Sequence, residues 1–365
     1  MNVFKKENFP NVPMRTKNKS GIILIVVLWI IVILSMLAIG LSRNTRIEIQ
    51  LTKHGLAALK ARYAAMSGIF YAIRQIEADS QTAATSISDT KYQCGFSLEA
   101  PDTPADLFKD VALSPGVRFS IFYAPEGDGK RRYGLTDEES RINVNALGPG
   151  DYGILKNLLI LSGVDNDTAE TIAASAVDWR DEDDEVVDEP YGAEENFYAR
   201  LENPYSCKNA FFENPKELLL VRGMTPEIFD RVKESVTVFP YQGRLLINFD
   251  TASNDVLRAL ARHYAGAKTN TEMADADSLV EKILFYRRGD DGMEATADDR
   301  PVDFKEISFN AKEKVIALSM QRHQTKVSRY LRIRSRGTET QTQARHDIEA
   351  VVDRSDVSVL YWRSR

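Results

Sequence analysis

The chain has 365 residues, of which 43% are hydrophobic, enough for folded cores beside an anchor and too many for a disordered polymer. Its 53 acidic and 47 basic side chains leave a net charge of −6, which excludes an overall polycationic nucleic-acid binder. Two cysteines, Cys94 and Cys207, exclude a disulfide-dense framework; they pair in an oxidising compartment or stand as buried thiols. The histidines (His54, His263, His323, His346) are scattered and no CxxC occurs, so no zinc spacing exists. There is no P-loop, GxGxxG or GxSxG, and no nucleophile or oxyanion donor accompanies the acid pairs, so the expectation is a protein that is not an enzyme.

Residues 1–21 carry Lys5, Lys6, Arg15, Lys17 and Lys19 against Glu7. A basic segment before an apolar run tends to stay cytoplasmic, which sends the remainder across the membrane; Arg43 and Arg46 beyond the run weaken that asymmetry. The run itself, Ile22 to Leu41, has Ser35 as its one plainly polar side chain. At about 1.5 Å per residue it spans roughly 30 Å, a bilayer's hydrocarbon core. It exceeds the apolar stretch of a cleaved signal, although Ala38-Ile39-Gly40 would serve as a cleavage site. A plain signal anchor is the second reading. The third is a longer helix: from Ser42 to about Asp79 there is no proline, and Ile47, Leu51, Ala58, Ala65, Ile69, Ile73 and Ile76 recur at the period of one helix face.

Residues 91–99 (KYQCGFSLE) and 116–124 (GVRFSIFYA) read as strands, with PEGDGK (125–130) a turn and 133–147 a short strand with an acidic turn. A helical stretch follows. Residues 152–180 pair two helices around Ser162-Gly163, and 215–239 repeat the design around Arg222-Gly223; Asn166 or Asp167 and Thr225 are the expected N-caps. A strand and helix over 246–265 and helices over 275–288 and 311–320 complete the block. The end of the chain alternates and is punctuated by Arg336-Gly337 and Arg354-Ser355, which predicts a three-strand antiparallel meander.

Two acidic segments carry chemistry. The first holds Trp179-Arg180-Asp181-Glu182-Asp183-Asp184-Glu185 with Asp188, Glu189, Glu194 and Glu195. Carboxylates at this density need full solvation or a cation. The glycine of an EF-hand loop is missing, so solvated loop and oxygen-ligated cation stand side by side. The second is 289–299, where Asp291, Glu294, Asp298 and Asp299, with the Met293 carbonyl, hold another calcium or form a polar loop. The glycine-centred helix pairs have the outline of helix-hairpin-helix DNA modules, but Asp165, Asp167 and Glu170 beside the first favour a structural hairpin and no nucleic acid. Trp179 and the aromatics Phe197, Tyr198, Tyr205, Phe211 and Phe212 read as core or partner-facing surface.

KSGIILIVVLWIIVIL resembles a type IV prepilin leader. That resemblance implies prepilin peptidase cleavage after Gly21, with Ile22 as the methylated mature N-terminus. Pilins carry a glutamate at the fifth mature position, costly in lipid unless paired; here that position is Val26. Its absence, with LTDEESRINVN, AVDWRDEDD…YGAEE, NPYSCKNAFFENPKELLLVRGMTPEIF and INFDTAS, resembles the K-type minor pseudopilins of type II secretion. Phe249 and Asp250 depart from the family's usual INVNTA. The resemblance implies an α+β, pilin-like fold, a long N-terminal helix packed on a C-terminal antiparallel sheet, with a large inserted α-helical domain. Its parts would be a leader (1–21), a transmembrane segment (22–41), an amphipathic continuation (42–80), a pilin-like α/β domain (81–135 and 321–365) and the insertion (136–320). It further implies calcium in the insertion, with Asp181, Asp183, Asp184 and Glu194 as ligands and Asp137 and Glu138 as contributors. Its implied setting is a single-pass inner-membrane protein with periplasmic domains at the pseudopilus tip. The implied partners are other minor pseudopilins, the major pseudopilin and prepilin peptidase. A minor pilin of a type IV pilus and a DNA-uptake module are the rival readings.

Overall fold

The structure, a computed structural model, describes residues 20–82, 107–123, 132–266, 270–292 and 298–365. The leader before Ser20, the strand expected at 91–99, Cys94 with its bridge, and Glu294 lie outside the described residues. The chain divides into two compact units, residues 1–57 and 58–365.

Helix α1 runs from Ser20 to Thr82, 63 residues, as the unbroken periodicity and absence of proline require. In the first unit, Ile22 to Leu41 are exposed along their whole length, and this is the one helix among the described residues long and apolar enough to cross a membrane. In the second unit, α1 buries Ala61, Ala65, Ile69, Ala72 and Ile76. Ala58, expected on that face, is exposed. Leu59, Tyr63 and Phe70, four and seven residues apart on the opposite face, are at least half exposed.

The buried face rests on an antiparallel sheet whose main strands are β1 (Val111–Ser114), β2 (Val117–Tyr123), β3 (Tyr330–Glu339), β4 (Ala344–Asp353) and β5 (Ser358–Ser364), ordered as in the chain. Everything from 124 to 329 is inserted between the neighbours β2 and β3. Alternation sets the faces: Phe119, Ile121, Leu331, Ile333, Ile348, Ala350 and Val352 join the helix residues in one core. The expected turn at Arg336-Gly337 does not exist. Both residues lie inside β3, and β3 turns into β4 between Glu339 and Ala344. Gly337 faces α1, and a Cβ there would overlap the Ala61 carbonyl and the Ala65 amide. The glycine serves close helix–sheet packing rather than a bend.

The insertion has its own core, formed by α2 (Tyr152–Leu161), α3 (Asn166–Asp178), α4 (Pro226–Val232), α5 (Asn254–Tyr264), α6 (Asn270–Arg287) and α7 (Ala311–Met320). Gly163, at φ +82°, makes the α2–α3 turn, closed by the Gly163 and Val164 amides on the Ile160 and Leu159 carbonyls. Asp165, not Asn166 or Asp167, caps α3 by accepting from the Thr168 amide (2.9 Å); Thr225 caps α4 as expected. The second pair differs from the first: a 3₁₀ segment, Pro215–Leu220, precedes α4. Two parallel bridges, Ile142–Asn143 with Val236–Thr237 and Ile247–Asn248 with Gln324–Thr325, complete the block.

Candidate functional site

Helix α3 ends at Asp178, a fully buried carboxylate. Its Oδ1 accepts from the Val187 amide (2.9 Å) and its Oδ2 from the Ala193 amide (2.6 Å). One side chain thus ties the middle and the far end of the acidic loop that follows it. Gly192 permits this, because a Cβ there would overlap Asp178 Oδ2 and come within 2.5 Å of Val186. The Tyr152 hydroxyl adds a bond to Asp188 Oδ2 (2.6 Å). Arg222 Nη1 donates to the Pro190, Tyr191 and Gly192 carbonyls (3.1, 3.3 and 2.8 Å) while its guanidinium stacks 4.8 Å from the Phe197 ring centre. Behind the loop, Trp179 packs edge-on to Tyr198 at 5.1 Å, with Tyr205 beside both; Trp179 and Tyr198 are core, while Tyr205 is exposed.

The loop so held brings Asp181, Asp183 and Glu194 together, one carboxylate oxygen of each within 4.8 Å of the others. Asp184 is exposed and outside this group, though its charge still acts on Glu194. Glu194 is 3% exposed, yet neither of its oxygens accepts a hydrogen bond, and Asp181 Oδ1 is also orphaned. The adjacent Arg180 is turned away, donating to the Asn145 and Leu147 carbonyls (2.9 and 2.8 Å). Burial, reinforced by neighbouring carboxylates, pushes Asp181 up to about 6 and Glu194 up to about 8. The orphaned oxygens of Asp181 and Glu194, beside the exposed carboxylate of Asp183, are donors of the type a hard divalent cation such as calcium takes.

Asp137 and Glu138 are engaged elsewhere and do not contribute to this group. Asp137 Oδ2 accepts from Thr251 (2.7 Å), Ser328 (2.6 Å) and Asn248 (3.1 Å), and Oδ1 from the Glu139 amide (2.7 Å). Glu138 takes Arg332 Nε (2.5 Å) and Nη2 (3.0 Å), with Thr237 on the other side. Burial alone would raise Glu138, but Arg332 and then Arg141 outweigh it and hold it at about 2. Glu139, buried and facing the Asp137 charge, is pushed up to about 8. This acidic triplet fastens the start of the insertion to β3 and to the Asn248–Thr251 turn. Three successive acids between Leu135 and Ile142 were its sequence signal.

In the second acidic loop, Asp298 Oδ2 accepts from the Asp290 and Asp291 amides (2.6 and 3.1 Å), and Asp290 pairs with Arg300 (2.5 Å). The Asp298 carboxylate therefore closes the turn. The group of convergent acids found among the described residues includes none of Asp291, Asp298 or Asp299.

A long helix on an antiparallel sheet with a helical block inserted between neighbouring strands defines a pilin-like subunit of expanded type. Residues 140–241, which hold the Glu194 site, match the family model described as type II secretion system (T2SS), protein K. Type II secretion system protein K of Aeromonas hydrophila is 24% identical over 263 residues, covering 68% of this chain and 72% of that protein. The protein K of Pectobacterium carotovorum subsp. carotovorum is 28% identical over 181 residues, 46% of this chain and 52% of that one. The solved GspK-GspI-GspJ complex of enterotoxigenic Escherichia coli contains a chain with the same fold, at TM-score 0.57 and 18% identity over 88% of this chain and 99% of that one. These comparisons support reading the chain as a K-type minor pseudopilin of type II secretion.

Proposed function

We propose that the chain begins and caps the pseudopilus of a type II secretion system. It is anchored in the inner membrane through Ile22–Leu41, with its folded part in the periplasm and its mature N-terminus made by prepilin peptidase after Gly21. The observation that carries this reading is the division of α1 in the second unit. One face is buried on the sheet, while Leu59, Tyr63 and Phe70 stay exposed on the other. An exposed apolar stripe at helical spacing suits a neighbouring pseudopilin helix, and the relative in the solved complex is joined by GspI and GspJ.

Val26 deepens the reading. An ordinary pilin offers a carboxylate there to the subunit that precedes it; a subunit with valine has no such pair to make and suits the first position. The inserted block then stands where a further subunit would have to add. Calcium bound by Asp181, Asp183 and Glu194 would supply the positive charge that the orphaned oxygens of Asp181 and Glu194 lack and fix the loop that Asp178 and Arg222 already hold. No acid–base or nucleophilic role falls to these residues. The test is secretion by a strain lacking this chain: the wild-type chain should restore it, and a Leu59→Asp/Tyr63→Asp/Phe70→Asp chain, folded and inserted, should not. Restoration by that triple variant would sink the assembly surface.

A further inference from the structure

The face of the sheet turned away from α1 carries an unbalanced charge ladder. Register places the β4 acids between two rows of arginines. Asp347 stands opposite Arg336 of β3 and exchanges backbone hydrogen bonds with Arg365, while Glu349 stands opposite Arg334 and Arg363. The acids are taken up on the β3 side. Asp347 binds Arg336 through two bonds (2.7 and 2.6 Å), and Glu349 meets Arg332 (2.7 Å) and Arg334 (3.3 Å). Arg363 and Arg365 are left without an ion pair among the described residues.

This face is one wall of a groove of about 460 Å³; the other wall is the Pro215–Leu220 turn and α4. From that wall Lys216, exposed and also without an ion pair among the described residues, and Lys233, exposed beside Asp230 (2.8 Å), complete the cationic lining. Seven cationic side chains face four anionic ones in the groove, an excess opposite in sign to the chain's net −6. Phe229, Phe239 and Tyr361 give it an apolar floor. β5 ends the sheet, so its outer backbone edge has no strand partner among the described residues.

We propose that this groove takes an extended acidic segment of a partner protein, with carboxylates seated on Arg363, Arg365 and Lys216 and main chain along the edge of β5. Spaced carboxylates match spaced cations, and strand addition supplies the backbone pairing. A nucleic acid fits less well: its continuous phosphates would meet Asp230 and Glu234 in the wall. This surface is separate from the α1 stripe and does not depend on the pseudopilus reading.

The test is fluorescence anisotropy on the detergent-solubilised full chain. The probe is a fluorescein-labelled peptide alternating Asp and Ser, with a Lys–Ser peptide and oligothymidine as comparators. The Asp–Ser peptide should bind, weaken with salt, and lose at least about tenfold in affinity on Arg363→Glu/Arg365→Glu and, separately, on Lys216→Glu. Lys216 is exposed outside the sheet, so its variant decides the matter should the double variant fail to fold. No binding at low salt, unchanged binding by the Lys216→Glu chain, or oligothymidine bound more tightly than the peptide would each overturn the proposal.

Discussion

Asp178 and Gly192 depend on each other. Asp178 Oδ2 accepts the Ala193 amide at 2.6 Å, and the side of Gly192 that would carry a Cβ lies against the same oxygen. A methyl at 192 must displace either the carboxylate or the loop. Gly192→Ala should therefore cost about 1–3 kcal/mol in denaturant melts. Asp178→Asn, which turns an acceptor into a donor facing an amide, should cost a similar amount, about 1–3 kcal/mol. Stability unchanged in both would mean that Asp178 does not organise the loop.

The orphaned oxygens of Asp181 and Glu194 predict a divalent-ion effect. The melting temperature of the detergent-solubilised chain should rise with calcium and fall with chelator. Saturation a hundredfold above Kd is worth about 2.7 kcal/mol. Asp181→Asn/Glu194→Gln should remove the calcium response and leave the apo protein as stable as wild type or more so, because two carboxyl groups whose ionisation burial opposes become neutral amides. A calcium response that survives in this variant would place the ion elsewhere.

Glu138 and Glu139 are neighbours with opposite pH signatures. Glu138, held at about 2 against an ordinary 4.5, stabilises the fold above pH 4.5 and loses that contribution as pH falls through about 2. Glu139, raised to about 8, contributes fully below 4.5 and loses it as pH rises through about 8. Thermal melts across pH should show Glu139→Gln flattening the decline between pH 4.5 and about 8. Glu138→Gln should lower stability at neutral pH by about 1–3 kcal/mol, because the buried Arg332 then keeps Glu349 alone as a charged partner. A decline over that range identical in wild type and Glu139→Gln would refute the Glu139 assignment.

Gly337 inside β3 predicts a packing defect rather than a turn defect. Gly337→Val pushes α1 off the sheet and should cost at least about 1–3 kcal/mol despite valine's preference for strands. A neutral or stabilising effect in chemical denaturation would show that helix and sheet are not in close contact there.

The long helix was legible because an apolar run passes without a proline into a segment with the period of one helix face, and β2 because Val117, Phe119 and Ile121 alternate. Gly337 was misread because a glycine between polar residues carries the same local signal whether it bends a strand or admits a helix; only the partner Ala61–Ala65 decides. Asp165 lost to Asn166 and Asp167 because all three are good capping side chains, and the extended backbone at 165 (φ −65°, ψ 158°) is set by the Gly163 turn. At the acidic loop, composition pointed to Asp181, Asp183 and Glu194, but it also promoted the exposed Asp184. It passed over Asp178, which reads as the last residue of a helix until the loop folds back onto it. Asp137 and Glu138 were drawn to the cation by charge alone, when buried donors more than a hundred residues away in sequence claim them.

The proposed assembly with I- and J-type minor pseudopilins is tested most directly by co-expressing the three chains, solubilising the membranes and measuring the mass of the complex that carries this chain by size exclusion with light scattering. The prediction is one stable complex with the three chains in equal amounts, lost in the Leu59→Asp/Tyr63→Asp/Phe70→Asp variant. Elution of this chain by itself while the other two pair would contradict the account.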